Sequence, residues 1–145
     1  MPMDALERRF KALDFLLDYS KGTLWWVHNR IWSEKVAGFV WKKNSKHHPG
    51  LSISRKKVDG LYSTVPMLMG TSRRPSGRNV LSVRHMSPEG SAHHDKPSYF
   101  ATLRPCPLRF DDFGRADGIE QNGTKPRLEQ DEMQRLGELL SGKGA

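Results

Sequence analysis

Apolar side chains recur at spacings of three and four between residues 3 and 19 (Leu6, Phe10, Leu13, Leu16 and Leu17), the signature of one face of an α-helix. Asp4 suits the positive end of the helix dipole, and Gly22, just past Lys21, marks the stop. Such a helix packs on its own domain or presents its apolar face to a partner. From Thr23 the period changes. TLWWVHNRIW (23–32) is rich in aromatic and β-branched residues, which favour strands. Further strand candidates are VAGFVWKK (36–43), PGLSIS (49–54), LYSTVPMLMG (61–70), NVLSVRHM (79–86) and SYFATLRPCPLRF (98–110). Pro66 places the fourth at an edge or beside a bulge, and Pro105 and Pro107 interrupt the last. Turn signals at Asn44-Ser45, Asp59-Gly60 and Pro75-Ser76-Gly77 separate them. Residues 72–79, 87–97 and 111–127 read as exposed or irregular chain. A closing helix is expected over 128–140, with Leu128, Met133, Leu136, Leu139 and Leu140 on one stripe and Glu129, Asp131 and Glu132 in its first turn.

This pattern predicts a mainly β protein with flanking helices: a small barrel or sandwich, an N-terminal helical extension over 1–22, and one β domain with its C-terminal helix over 23–145. The length, 145 residues, suits one core with an appendage. Hydrophobic residues make up 36%, and no apolar run approaches the ~20 residues of a membrane span. Charges in MPMDALERRF stand where a signal peptide needs an apolar stretch. The single cysteine, Cys106, makes no internal disulfide and no cysteine-rich zinc site. A cytoplasmic location is the expectation.

The net charge of +8 is unevenly spread. Residues 1–20 carry −1, residues 21–110 carry +12, and residues 111–145 carry −3. The positive charge belongs to the β region rather than to a tail. Such a body attracts polyanions, of which nucleic acid is the commonest in a cytosol.

Four groups carry candidate chemistry. Lys46-His47-His48-Pro49 places two imidazoles beside a proline that biases His48 toward extended backbone. Histidine moves protons near neutral pH, and a cationic neighbour stabilises charge on a phosphate. Gly70-Thr71-Ser72-Arg73-Arg74 ends an apolar strand with hydroxyls and guanidinium forks, both suited to phosphate, although no GxxxxGK[ST] occurs. His93-His94-Asp95 holds metal-ligand types, but adjacent histidines seldom converge on one ion and no HExxH-like spacing is present. No metal or other cofactor is expected. Trp25, Trp26, Trp32 and Trp41 are mostly core candidates. Because Trp25 and Trp26 point to opposite faces of a strand, at least one belongs inside.

KHHPGLSIS (46–54), VPMLMGTS (65–72) and RLEQDEMQRLGELL (127–140) together resemble three segments of the PemK/MazF family of toxin endoribonucleases. These are a basic run ending before a proline and a strand, a strand ending in a hydroxyl, and a closing helix. The resemblance covers about residues 36–140 and implies an SH3-like barrel, a homodimer, and a neutralising antitoxin that occupies the RNA groove. It also implies metal-independent cleavage of single-stranded RNA, in which the ribose 2′-hydroxyl attacks the adjacent phosphate and leaves a 2′,3′-cyclic phosphate. By position His48 stands where the family has arginine, and Thr71 or Ser72 matches its hydroxyl. The catalytic set implied is His48 or His47 for proton transfer, Thr71 to position the phosphate and Arg73 to stabilise its charge. RNA contacts are expected from Lys46, Ser72, Arg74, Arg55 and Lys56. A histidine holds phosphate less firmly than an arginine, so a non-catalytic module of the same fold, binding nucleic acid or an acidic protein, is the alternative. A third reading is a structural or phage-borne accessory protein whose charge is incidental.

Overall fold

The computed structural model describes residues 21–40, 46–53, 57–59, 62–103, 105–109 and 118–142. The helix expected over 3–19, Trp41, Arg55 and Lys56 lie outside the described residues. Among the described residues eight strands form an antiparallel sheet: β1 (Leu24–His28), β2 (His47–Ser52), β3 (Lys57–Asp59), β4 (Tyr62–Thr71), β5 (Val80–Val83), β6 (Ser98–Ala101), β7 (Cys106–Arg109) and β8 (Ile119–Gln121). The main path runs β5-β6-β4-β2-β1-β8, with β3 and β7 also paired to β4. No pairing among the described residues joins β5 to β8, so this path is an open sheet. Among the described residues two helices complete it, α1 (Asn29–Lys35) and α2 (Gln130–Leu140).

Both faces of the sheet are buried, and alternation along each strand divides the apolar residues between them. In β1, Trp25 and Val27 enter one core with Val65, Met67, Cys106, Leu108 and Ile119, and with Ile31 and Trp32 of α1. Leu24 enters the other with Leu51, Leu68, Leu81 and Phe100, and with Leu136 and Leu139 of α2. Each large apolar side chain taken fully from water contributes about 1.5–3 kcal/mol. Trp25, Trp32, Phe100 and Leu136 are all at 0% exposure, so the two helices are fastened by these contacts more than by propensity.

The sequence pattern and the structure part company at several places. TLWWVHNRIW is not one strand: β1 stops at His28 and α1 begins at Asn29. The His28 imidazole accepts a hydrogen bond from the Arg30 backbone N–H at 3.0 Å, taking the role an Asn or Ser side chain plays at a helix start. VAGFVWKK was expected as a strand. Its described part instead ends the helix: Val36 is the extended C-cap and Gly38 turns the chain at φ 77°. SYFATLRPCPLRF divides into β6 and β7. Residues 119–121, expected to be irregular, pair with β1 (Trp25↔Gln121, Val27↔Ile119). Of the two placements expected for Pro66, edge or bulge, it is the bulge that the structure has. It faces Pro107 across the β4–β7 ladder, and on the other side it stands where the register steps by two between Ser52↔Met67 and Lys57↔Thr64. β4 otherwise lies close to the expected 61–70, and α2 begins two residues inside the expected 128–140.

Candidate functional site

His47 and His48 open strand β2, where Val27↔His48 and His28↔His47 pair it with β1. Helix α1 supports the same point: the Asn29 N–H donates to the Lys46 carbonyl at 2.8 Å, and the Trp32 indole donates to the His48 carbonyl at 3.2 Å. On its other side, β2 pairs with β4 from Gly50↔Met69 to Ser52↔Met67. The ladder stops two residues short of His48 on β2 and of Thr71 on β4, and both side chains border the same open space beyond it. Gly70 permits the approach, because a Cβ there would meet both Pro49 Cγ and Phe100 Cε1 at 2.7 Å.

Two adjoining grooves result. A cleft of about 250 Å³ is lined by Trp26, His47, His48, Pro49, Thr71 and Ser72 on one wall. Met86, Ser87, His93, Lys96, Pro97 and Ser98 line the other. A shallower groove of about 560 Å³ shares His48, Thr71 and Ser72 and adds Val40, Arg73, Arg74 and Pro75. Neither lining includes a carboxylate among the described residues, so the surface is hydroxyl-rich and cationic. The tryptophan pair divides as strand geometry requires, with Trp25 in the core and Trp26 on the cleft wall.

His48 is the best-defined group. Its Nδ1 lies 2.6 Å from Oδ1 of Asn29, a fully buried residue, and Phe39 meets the ring edge-on at 5.4 Å between centroids. With the amide oxygen as acceptor, Nδ1 carries the hydrogen and Nε2 keeps the lone pair. Burial pushes the imidazole below its ordinary 6.5, so it is neutral at pH 7 and available as a base. His47 is exposed, with its ring edge-on to His28 at 5.2 Å.

The expected site residues are therefore partly gathered. His48, Thr71 and Ser72 border both grooves, His47 only the first, and Arg73 and Arg74 only the second. The Lys46 side chain is exposed and lines neither. Thr71 does not bond to His48; its hydroxyl donates to the Arg73 carbonyl at 2.6 Å and tightens the turn after β4. Arg74 lies over the Tyr99 ring at 5.9 Å.

Sequence reasoning missed Asn29, because α1 was read as strand, and it missed the wall formed by Met86 to Ser98. The polar, Gly- and Pro-containing stretch 87–97 signalled a loop, but nothing in it signalled where the loop would lie. No protein-family model, curated protein or solved structure matches this chain. No helix among the described residues is long and apolar enough to cross a membrane.

Proposed function

We propose that the chain acts on single-stranded RNA at the His48 cleft as a metal-independent endoribonuclease. The proposal includes the PemK/MazF-like toxin reading and its cytoplasmic setting. One observation supports it most: a half-buried imidazole, oriented through Nδ1 by a buried amide, opens onto a cationic, hydroxyl-rich cleft. This is the base-and-orienter arrangement that proton-transfer catalysis requires. In the proposed reaction His48 Nε2 removes the 2′-hydroxyl proton as that oxygen attacks the adjacent phosphorus. The bond to the 5′-oxygen breaks, and a proton returned to that oxygen releases it. In this reading His47, which lines the same cleft, serves as the acid. Arg73 offsets charge on the phosphate, and Ser72 or a rotated Thr71 hydroxyl positions it. Trp26 offers a ring on which an unpaired base stacks. The same reading carries closure of the sheet into an SH3-like barrel, a homodimer, and an acidic antitoxin segment in the cationic groove.

The test is incubation of purified protein with a long unstructured RNA in EDTA, with end analysis and His48→Ala prepared in parallel. Cyclic-phosphate ends made only by the wild type support the proposal; absence of cleavage both in EDTA and in a parallel incubation without chelator overturns it. The lack of any hydrogen bond between His48 and Thr71 favours a second reading, a non-catalytic module for nucleic acid or an acidic protein. Binding that weakens with salt, without cleavage, is its signature.

A further inference from the structure

Next in the chain to residues that line the cleft lies a second cluster that the RNA reading does not use. His94 and Asp95, at the end of the 87–97 loop, meet His85, which follows β5. One ligand atom from each lies within 4.8 Å of the others. The two imidazoles stack at 4.5 Å between centroids and 28° between planes. His94 Nδ1 contacts the Ser87 carbonyl at 2.8 Å, and His85 Nδ1 contacts the His94 carbonyl at 3.3 Å. A carbonyl partner makes each Nδ1 the N–H, so both Nε2 atoms keep their lone pairs. This is the tautomer that metal-bound histidines adopt when their other nitrogen donates to the protein.

The backbone gives an independent indication. His85 is the one non-glycine residue with positive φ, 59°, among the described residues. That conformation persists only where surroundings impose it. Here they do. Lys125 Nζ donates to the Arg84 carbonyl at 2.6 Å, and Asn122 Nδ2 donates to the Met86 carbonyl at 3.2 Å, pinning the chain on both sides of His85. The twist brings His85 against His94, while successive turns (Ser91 N–H to Pro88, His94 N–H to Ser91, Lys96 N–H to His93) shape the loop that delivers His94 and Asp95.

We propose that His85, His94 and Asp95 form a site for a divalent transition metal of the zinc type, which clamps the 87–97 loop to the end of β5. Two imidazoles and a carboxylate are a ligand set for zinc, cobalt or nickel, with at least one position left for water. Tetrahedral bonds of about 2.0–2.1 Å place ligand atoms roughly 3.4 Å apart, so on binding the ligand atoms, within 4.8 Å of one another here, draw together and the stacked rings turn their edges toward the ion. His93, the neighbour that sequence alone pairs with His94, instead lines the cleft. The ion's role is to hold one cleft wall; the chemistry proposed for His48 does not pass through it. The site stands whether or not the chain cleaves RNA.

The experiment is titration of the full chain with Zn²⁺ by calorimetry and with Co²⁺ by visible absorption, for wild type, His85→Asn, His94→Gln, Asp95→Asn and His93→Gln. Asparagine tolerates positive φ, so His85→Asn removes the imidazole while keeping the backbone. The expected result is one ion per chain, a tetrahedral or five-coordinate Co²⁺ spectrum, and slowed hydrogen exchange at amides 87–97 on metal addition. Affinity should fall at least tenfold in His85→Asn and His94→Gln and less in Asp95→Asn. If His94→Gln fails to fold, His85→Asn and the Co²⁺ spectrum decide. No stoichiometric binding, affinity unchanged in His85→Asn, or affinity lost in His93→Gln instead would each overturn the site.

Discussion

Replacing Glu132 with alanine should weaken the fold more than any single surface change. The side chain is 4% exposed in the first turn of α2. Oε1 lies 2.7 Å from the Lys125 ammonium and accepts the Glu129 backbone N–H at 3.0 Å, while Oε2 accepts the Arg84 N–H at 2.9 Å. One carboxylate thus starts the helix, pairs a buried cation and ties the helix to the chain leaving β5. Lys125 is itself 7% exposed. After Glu132→Ala its ammonium keeps the Arg84 carbonyl at 2.6 Å and Glu129 at 3.8 Å, and the two backbone N–H groups lose their acceptor. Breaking one side of a buried pair costs about 3–5 kcal/mol. The remaining Glu129 contact offsets part of this, giving roughly 3 kcal/mol, a large share of the 5–15 kcal/mol typical of a domain. With a urea slope of about 1.5 kcal/mol/M, the midpoint falls by about 2 M.

The double variant Glu132→Gln/Lys125→Met removes the buried charge and keeps one carbonyl oxygen, an acceptor for one of the two N–H groups. It should recover at least half of the loss. Asp131→Ala, which breaks the exposed bond to Arg84 at 2.7 Å, should cost less than about 1 kcal/mol. Equilibrium urea unfolding measures all three. A Glu132→Ala loss no larger than that of Asp131→Ala would refute the reasoning.

His48 titrates below 6.5 when folded and near 6.5 when unfolded, so between those values the unfolded chain binds more protons. Its contribution to stability is complete above pH 6.5 and falls as pH drops through that window. The wild type should therefore lose more stability than His48→Gln between pH 7.5 and 5 in paired urea titrations; equal losses would count against it. Asn29→Ala should lower RNA cleavage about tenfold or more and alter the acid limb of its pH profile, with RNA affinity little changed in filter binding. An unchanged profile would remove Asn29 as a positioning residue. Gly70→Ala drives a methyl into Pro49 and Phe100 and should cost about 1–3 kcal/mol by thermal unfolding. Leu136→Ala, at 0% exposure, should cost about 2–5 kcal/mol, and a loss under 1 would argue that α2 is not packed on the sheet.

Strong local patterns were legible in the chain. The strand candidate LYSTVPMLMG and the apolar stripe with an acidic first turn in LEQDEMQRLGELL correspond to β4 and α2 within two residues, because the length and spacing of apolar positions report burial. The split of Trp25 and Trp26 followed from the two-residue period of a strand. Weak or conflicting patterns were not legible. NRIWSEK carries strand-favouring Ile31 and Trp32, yet a histidine cap and a glycine stop at positive φ make it helix. IEQ has one apolar residue, and its strand exists because Trp25 to Val27 offer an unpaired edge.

The cationic middle of the chain, the imidazoles at 47 and 48 and the hydroxyls at 71 and 72 were determined by sequence alone, since composition and residue type need no coordinates. Tertiary structure decided which of them meet. Antiparallel register carried His48 toward Thr71 and left Lys46 outside, and a helix hidden in an apparent strand supplied Asn29 to orient the imidazole. Carbonyl anchors from Asn122 and Lys125 turned His85, rather than His93, toward His94. Contacts between residues far apart in the chain depend on how sheet and loops close in space, and no local period records that closure.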